Sequence, residues 1–234
     1  MLYFSKNFSI FVQTSDVWIP DKDIVDNMEF VELKKLKNET VYLGIDLSTV
    51  SDLTSISLMF PPNPERSYFP DKFIFKSIPY IAKEALSKSV NKRFYAECIK
   101  NGQMRQAGPG RTIDYDYVLK DLMEICNNLQ VVKASYDPWN ASEFTKIAEN
   151  EGGLPMVKFG QGLGNFNIPT KEFERLLLNG QVIIDKNIVT KFCFGNAMIK
   201  EDIHDNYKPV KDDGDKNKKI DVCISMLEAL GGYL

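Results

Sequence analysis

The chain has 234 residues, 44% hydrophobic and 26% charged, with fifteen Phe and ten Tyr, enough apolar material for one globular domain and too much for wholesale disorder. Its formal net charge of −3 excludes a protein that grips nucleic acid by a basic surface alone, so any such contact has to be local or assisted by cations and partner domains. A single histidine, His204, excludes His-rich zinc sites and most His-based acid–base designs.

Residues 1–40 read as a lead-in. Aromatic and polar residues mix there without period, Pro20 breaks the run, and 21–37 is charged and partly helical. The pattern then sharpens. Residues 41–47 (VYLGIDL) read as a buried strand and 53–60 (LTSISLMF) as its hairpin partner, ended by Pro61, Pro62 and Pro64. Residues 72–77 (KFIFKS) alternate like a third strand. Helical spacing follows over 81–89, 91–102 and, most strongly, 114–129, where Val118, Leu122, Ile125 and Leu129 share a face. A strand at 130–136, a helix at 140–150 and a strand at 156–159 come next. The 160–164 stretch, GQGLG, is half of a dinucleotide fingerprint but is followed by polar NFNIPT, which predicts a loop; GPGR at 108–111 predicts a turn. A helix over 169–180 starts with Pro169 and ends at Gly180. Residues 181–185 are extended, 188–200 helical, 202–219 an exposed loop or hairpin, and 220–230 a closing apolar helix. Strands first, then alternating helices and strands, predict an α/β fold: a mixed sheet flanked by helices.

Cys98, Cys126, Cys193 and Cys223 form no CxxC pair and read as reduced, packed thiols of a cytoplasmic protein. No apolar run approaches the roughly 18 residues that span a membrane, and residues 1–18 lack the continuous apolar core of a secretion signal.

Three aspartates occupy element termini. Asp46 ends the strand VYLGID, Asp137 ends VVKASYD ahead of Pro138, and Asp221 opens the last helix. Carboxylates so placed can gather around hard divalent cations such as Mg²⁺, which take oxygen ligands and keep several waters. An Asp before a helix is also a common N-cap, and Asp-Pro a common turn, and spacing alone does not show that the three converge.

GIDLSTVSDLT (44–54), YDPWNA (136–141), FGQG (159–162), KEFERLLLNG (171–180) and KKIDVCISMLEAL (218–230) together resemble, in order, the nuclease domain of tailed-phage terminase large subunits, a ribonuclease H-like fold. Residues 7–20 resemble the segment that follows the family's ATPase domain. By this resemblance Asp46, Asp137 and Asp221 are the catalytic metal ligands, Asp46 bridging two Mg²⁺ or Mn²⁺ ions, and Asp52 is a further acidic position near the metals. The resemblance implies an endonuclease that cuts double-stranded concatemeric viral DNA during packaging, in the cytoplasm of the infected bacterial host. Its expected partners are the ATPase domain, the small terminase subunit and the portal. No GxxxxGK[ST] motif occurs, so residues 1–40 would follow a missing ATPase domain, 41–234 would be the nuclease, and Met1 a fragment start. The chain departs from the family pattern at Asn187-Ile188, where a proline is absent, and at Val222 and Ser225, where smaller residues are common.

Two alternatives stand beside this. GIDLSTVSD also resembles the first phosphate loop of actin-like ATPases, although Pro-Trp-Asn rather than glycines follow Asp137. A non-catalytic docking module for portal or ATPase domain is the other. Lys208, Lys211, Lys216, Lys218 and Lys219, interspersed with three Asp, are either a solvated surface or a DNA-phosphate contact.

Overall fold

The computed structural model describes residues 17–48, 52–139, 141–212, 214–215 and 217–234. Lys216, the 49–51 part of the first motif, Asn140 and the lead-in up to residue 16 lie outside them. In chain order the elements are α1 (Asp21–Asp26), β1 (Met28–Glu29), β2 (Thr40–Asp46), β3 (Thr54–Phe60), β4 (Phe73–Ile81), α2 (Lys83–Lys88), α3 (Lys92–Lys100), β5 (Arg105–Gln106) and α4 (Tyr115–Cys126). There follow β6 (Gln130–Tyr136), α5 (Ser142–Asn150), β7 (Met156–Lys158), α6 (Leu163–Leu178), β8 (Val182–Asp185), α7 (Ile188–Asn196), β9 (Met198–Glu201), β10 (Tyr207–Val210) and α8 (Asp221–Tyr233). Among the described residues no helix is long and apolar enough to cross a membrane.

Eight strands form one mixed sheet in the order β1-β8-β4-β3-β2-β6-β7, with β5 beside β4; β9 and β10 make a separate hairpin. β2, β3 and β4 are an antiparallel meander, and β6 and β7 continue from β2 in parallel. The period-two alternation of β2 decides the layers. Val41, Leu43 and Ile45 enter a core with Val118 and Leu122 of α4 and Phe144 of α5. Tyr42 and Gly44 face the other way, toward α8, whose Met226, Leu227 and Leu230 share a second core with Phe173 of α6 and Phe75 of β4. The sheet is thus covered on both faces.

α8 is apolar nearly all round because it is buried nearly all round, from Asp221 to Leu230. It lies so close to β2 that a Cβ on Gly44 would come 1.8 Å from the Ser225 carbonyl oxygen and 2.5 Å from the Ala229 nitrogen. Polar groups at this contact satisfy one another: the Ser225 hydroxyl lies 2.8 Å from that of Ser55 and 2.7 Å from that of Ser57, which in turn meets Ser77 at 2.7 Å.

Two expectations are corrected. α6 starts at Leu163, not at Pro169, and the GQGLG stretch is not a loop throughout: Gly162 is the N-cap and the helix opens at once. Phe166, Pro169, Thr170, Phe173, Leu176 and Leu177 are all buried, so the helical period runs back through the proline, and packing of Phe166 against Phe159 (centroids 5.2 Å apart) outweighs the helix-breaking tendency of Pro169. α7 ends at Asn196 rather than at residue 200. Ala197 turns extended and accepts the Trp18 N–H at 2.6 Å, and the next four residues pair with β10.

Part of the lead-in lies on this body. The Trp18 ring stacks on Phe194 at 5.6 Å and meets Phe173 at 5.8 Å, and its indole N–H donates to Glu174, which also accepts the Tyr207 hydroxyl at 2.5 Å. Ile19, Ile24, Val31 and Leu36 are buried, and β1 pairs with β8.

Gly44→Ala should cost about 3 kcal/mol, the upper end for overpacking, because both clashing groups are backbone and neither can swing away. Gly195→Ala, on α7 with nothing within 4 Å of the added methyl, should stabilise by roughly 0.5–1 kcal/mol. Denaturant midpoints of the two variants against the unaltered chain give the comparison.

Candidate active site

β2 and β6 are parallel neighbours, and Ile45 is in register with Tyr136. Asp46, the last residue of β2, and Asp137, the first beyond β6, therefore leave the same end of adjacent strands, about 5 Å apart along the backbone. Pro138 holds the chain extended there, and one Asp137 oxygen accepts the Trp139 N–H at 3.1 Å. The turn reading of Asp137 is correct as far as that oxygen goes. The N-cap reading of Asp221 is not: Ile220 is the cap and Asp221 is already helical. With Ser225 fixed on Gly44, Asp221 one turn earlier is carried toward the strand end where Asp46 sits.

Asp46 binds its proton well above the ordinary carboxyl range, first because it is desolvated and then because Asp221, Asp137 and Asp52 are charged beside it, with some relief from Lys211. Asp221 is pushed up to about 7, by burial first and then by Asp52, against the pull of its own backbone N–H, Lys219 and Lys211. Asp52 behaves oppositely. Burial alone would raise it, but Lys219 at 2.5 Å and Lys211 at 3.4 Å hold it below its ordinary value. Its loop is tied by Ser48, whose hydroxyl donates to the Asp52 carbonyl at 2.7 Å and whose N–H donates to Thr54 at 2.9 Å.

Among the described residues no three His, Cys, Asp or Glu side chains are, as they stand, gathered tightly enough to hold a metal ion. The charges of Asp221 and Asp137 both act on Asp46. Their chemistry fits a hard divalent cation. Every donor is an oxygen, the surplus negative charge is what a cation relieves, the four cysteines are buried, and His204 is exposed in the β9–β10 turn.

Residues 2–234 match the family model described as terminase large subunit, endonuclease domain. The chain belongs to that family. It is similar to the terminase large subunit of Enterobacteria phage HK97, at 30% identity over 194 residues that make up 81% of this chain and 36% of the HK97 protein. The crystal structure of the HK97 large terminase superposes with a TM-score of 0.79 at 24% identity, over 99% of this chain and 47% of that one. The large terminase nuclease from thermophilic phage G20c, solved with bound magnesium, has a TM-score of 0.50 at 9% identity, over 87% of this chain and 96% of that one. The fold is accordingly the ribonuclease H-like one of terminase nuclease domains. The chain spans less than half the length of the HK97 protein.

In this terminase nuclease domain the flanking lysines have partners. Lys208 donates to the Gln161 carbonyl at 2.6 Å and lies over the Phe166 ring; burial, and Lys200 beside it, make its ammonium easier to deprotonate, while Asp137 opposes that. Lys218 pairs with Asp212 at 2.9 Å, and Lys219 is nearly buried on Asp52. Lys216 is outside the described residues. A further acid, Glu228, is wholly buried behind the site, and the sequence reading passed over it. Its signal was there: it is the one acid within the apolar run VCISMLEAL, seven residues after Asp221 and so on the same helix face.

A carboxyl raised when folded keeps a proton that the unfolded chain has lost. Folding therefore weakens as pH climbs from the ordinary value of 3.8 toward about 7, and the loss is complete above that. In EDTA the chain should lose about 1 kcal/mol per pH unit through Asp221 between pH 5 and 7. Asp221→Asn should flatten that slope in thermal melts, and an unchanged slope would contradict the arrangement.

Proposed function

We propose that this chain is a metal-dependent endonuclease domain that hydrolyses the phosphodiesters of double-stranded, concatemeric viral DNA during genome packaging. The observation that carries the reading is the delivery of Asp46 and Asp137 to one end of adjacent parallel strands, with α8, which Asp221 opens, seated on Gly44 of β2. The magnesium bound to the G20c nuclease, a protein of the same fold, and the all-oxygen donor set support two Mg²⁺ or Mn²⁺ ions here. Asp46, central in the array, would bridge them, with Asp137 and Asp221 each holding one and Asp52 at the margin. Two such ions supply Lewis acidity, activating water and stabilising the leaving oxygen. The residues themselves aim and neutralise. Asp46 and Asp221, which hold protons tightly without metal, give them up as the charge is compensated. Lys219 and Lys211 keep Asp52 turned aside. Specificity should be weak, since nothing in the sequence resembles a base-reading helix.

In the whole protein, residues 1–40 would link an ATPase domain to a nuclease spanning 41–234. The work would take place in the host cytoplasm alongside the small terminase subunit and the portal. With the chain at −3, the attached motor would hold the DNA and raise its local concentration at the nuclease.

The 234-residue chain should nick or linearise plasmid with Mn²⁺ or Mg²⁺ and stop in EDTA. Asp46→Ala should reduce cutting by about a thousandfold or more, the scale of losing a principal electrostatic group, while its circular dichroism is unchanged. Undiminished cutting by that variant rejects the assignment, and no cutting by the unaltered chain favours a docking role.

DNA binding, measured with Ca²⁺ to block cleavage, should be weak, dependent on the cation and steeply weakened by salt. Replacing Lys208, Lys211, Lys216, Lys218 and Lys219 by alanine should lower both the affinity and the salt slope. Tight binding in EDTA that survives those changes would put the DNA surface elsewhere.

A further inference from the structure

Glu228 sits in the middle of α8 and is 0% exposed. One carboxylate oxygen accepts the Gln161 side-chain amide at 2.8 Å; the other has no hydrogen-bond partner among the described residues. It is flanked on its own helix by Ser225, seated on Gly44 of β2, and by Gly232, whose added Cβ would come 2.4 Å from the Ser135 hydroxyl of β6. It therefore lies behind the pair of strands that end in Asp46 and Asp137, and both of those charges act on it. Burial chiefly, and then those two carboxylates, raise its proton affinity far above the ordinary range, offset only in part by the Ile45 and Gln161 amides.

Such a group destabilises the fold. A buried carboxyl with an unpaired oxygen is unfavourable relative to a well-packed apolar side chain. Packing does not account for it, and the partner it does have leads to the site. Gln161 lies in the loop after β7, where Phe159 donates its N–H to the carbonyl of Tyr136 at 2.8 Å, immediately before Asp137. The Gln161 carbonyl in turn receives Lys208. One buried carboxylate thus ties α8 to the loop that braces Asp137.

We infer that Glu228 is a positioning residue for the metal site: through Gln161 it fixes the loop beside Asp137 relative to α8, which carries Asp221. The inference rests on the reading of Asp46, Asp137 and Asp221 as cation ligands. It does not make Glu228 a ligand itself. Its hydrogen bond acts on the cation by holding the ligands in place, the kind of support whose loss typically weakens metal affinity by about 10–100-fold.

The test is Mn²⁺ binding to the 234-residue chain by calorimetry, without DNA, paired with thermal melting in EDTA. Glu228→Met keeps the length of the side chain and removes the hydrogen bond to Gln161. It should melt no lower than the unaltered chain in EDTA, yet bind Mn²⁺ about 10–100-fold more weakly. A purely structural residue would show the reverse pattern, a lower melting temperature with unchanged affinity, and that result overturns the inference. Gln161→Ala, at a half-exposed loop position that the fold tolerates, should weaken Mn²⁺ binding in the same direction. Exchanging the two residues, Gln161→Glu with Glu228→Gln, rebuilds the hydrogen bond with the partners reversed and should bind Mn²⁺ more tightly than Glu228→Met. Mn²⁺ binding by the unaltered chain and Glu228→Met with equal affinity overturns the role of Glu228 alone, whereas no binding by the unaltered chain removes the metal site and the inference with it.

Discussion

The approach of α8 to β2 at Gly44 is the constraint on which the rest of the molecule depends. A helix normally stands off a sheet by the thickness of the side chains between them. Here the strand offers a hydrogen atom and the helix its own backbone, so the two main chains touch. The hydroxyls of Ser55, Ser57, Ser77 and Ser225 fill the narrow gap and satisfy one another, which lets polar groups be buried without an unpaired donor. The apolar cores on either face then lock the sheet and helix as one unit. Because the helix cannot slide or lift, the direction of Asp221 relative to the end of β2 is set by backbone contact rather than by flexible side chains.

That rigidity is used to hold together groups that repel. Asp46, Asp221 and Glu228 all resist ionisation, for the same two reasons of lost solvent and like charge. Only Asp52, farther out, has cationic partners close enough to reverse the balance. The fold tolerates this because the unfavourable groups sit at element ends and along one helix face, where the two cores supply compensation on both sides.

The architecture was largely legible in the sequence, and the reasons are local. The alternation of VYLGID and LTSISLMF, the helical spacing of 114–129 and the closing helix correspond to β2, β3, α4 and α8 within a few residues. Of the candidate site, the three element-end aspartates could be singled out from strand and helix termini, while the shared strand end of Asp46 and Asp137 needed the parallel register of β2 and β6. What could not be read was decided by tertiary contact. Pro169 looks like a helix start, but Phe166, a turn earlier, is pulled into the core and extends α6 back to Leu163. Glu228 drew no reading of its own from the sequence, and the all-round burial of α8 makes it an interior acid. Lysines that look like a free basic loop turn out to be engaged, with Lys219 almost buried.

The Trp18 clamp has a mechanical consequence. Trp18 is stacked on α6 and α7, its backbone N–H is bound to Ala197, and its indole shares Glu174 with the Tyr207 hydroxyl of β10. Val17 also bridges to Met198 at the root of the β9–β10 hairpin. A tug on the chain at residue 17 is therefore not absorbed by a slack tether. It is transmitted as torque to the base of the hairpin that bears Lys208, so this end of the polypeptide works as a handle on the rim beside Asp137.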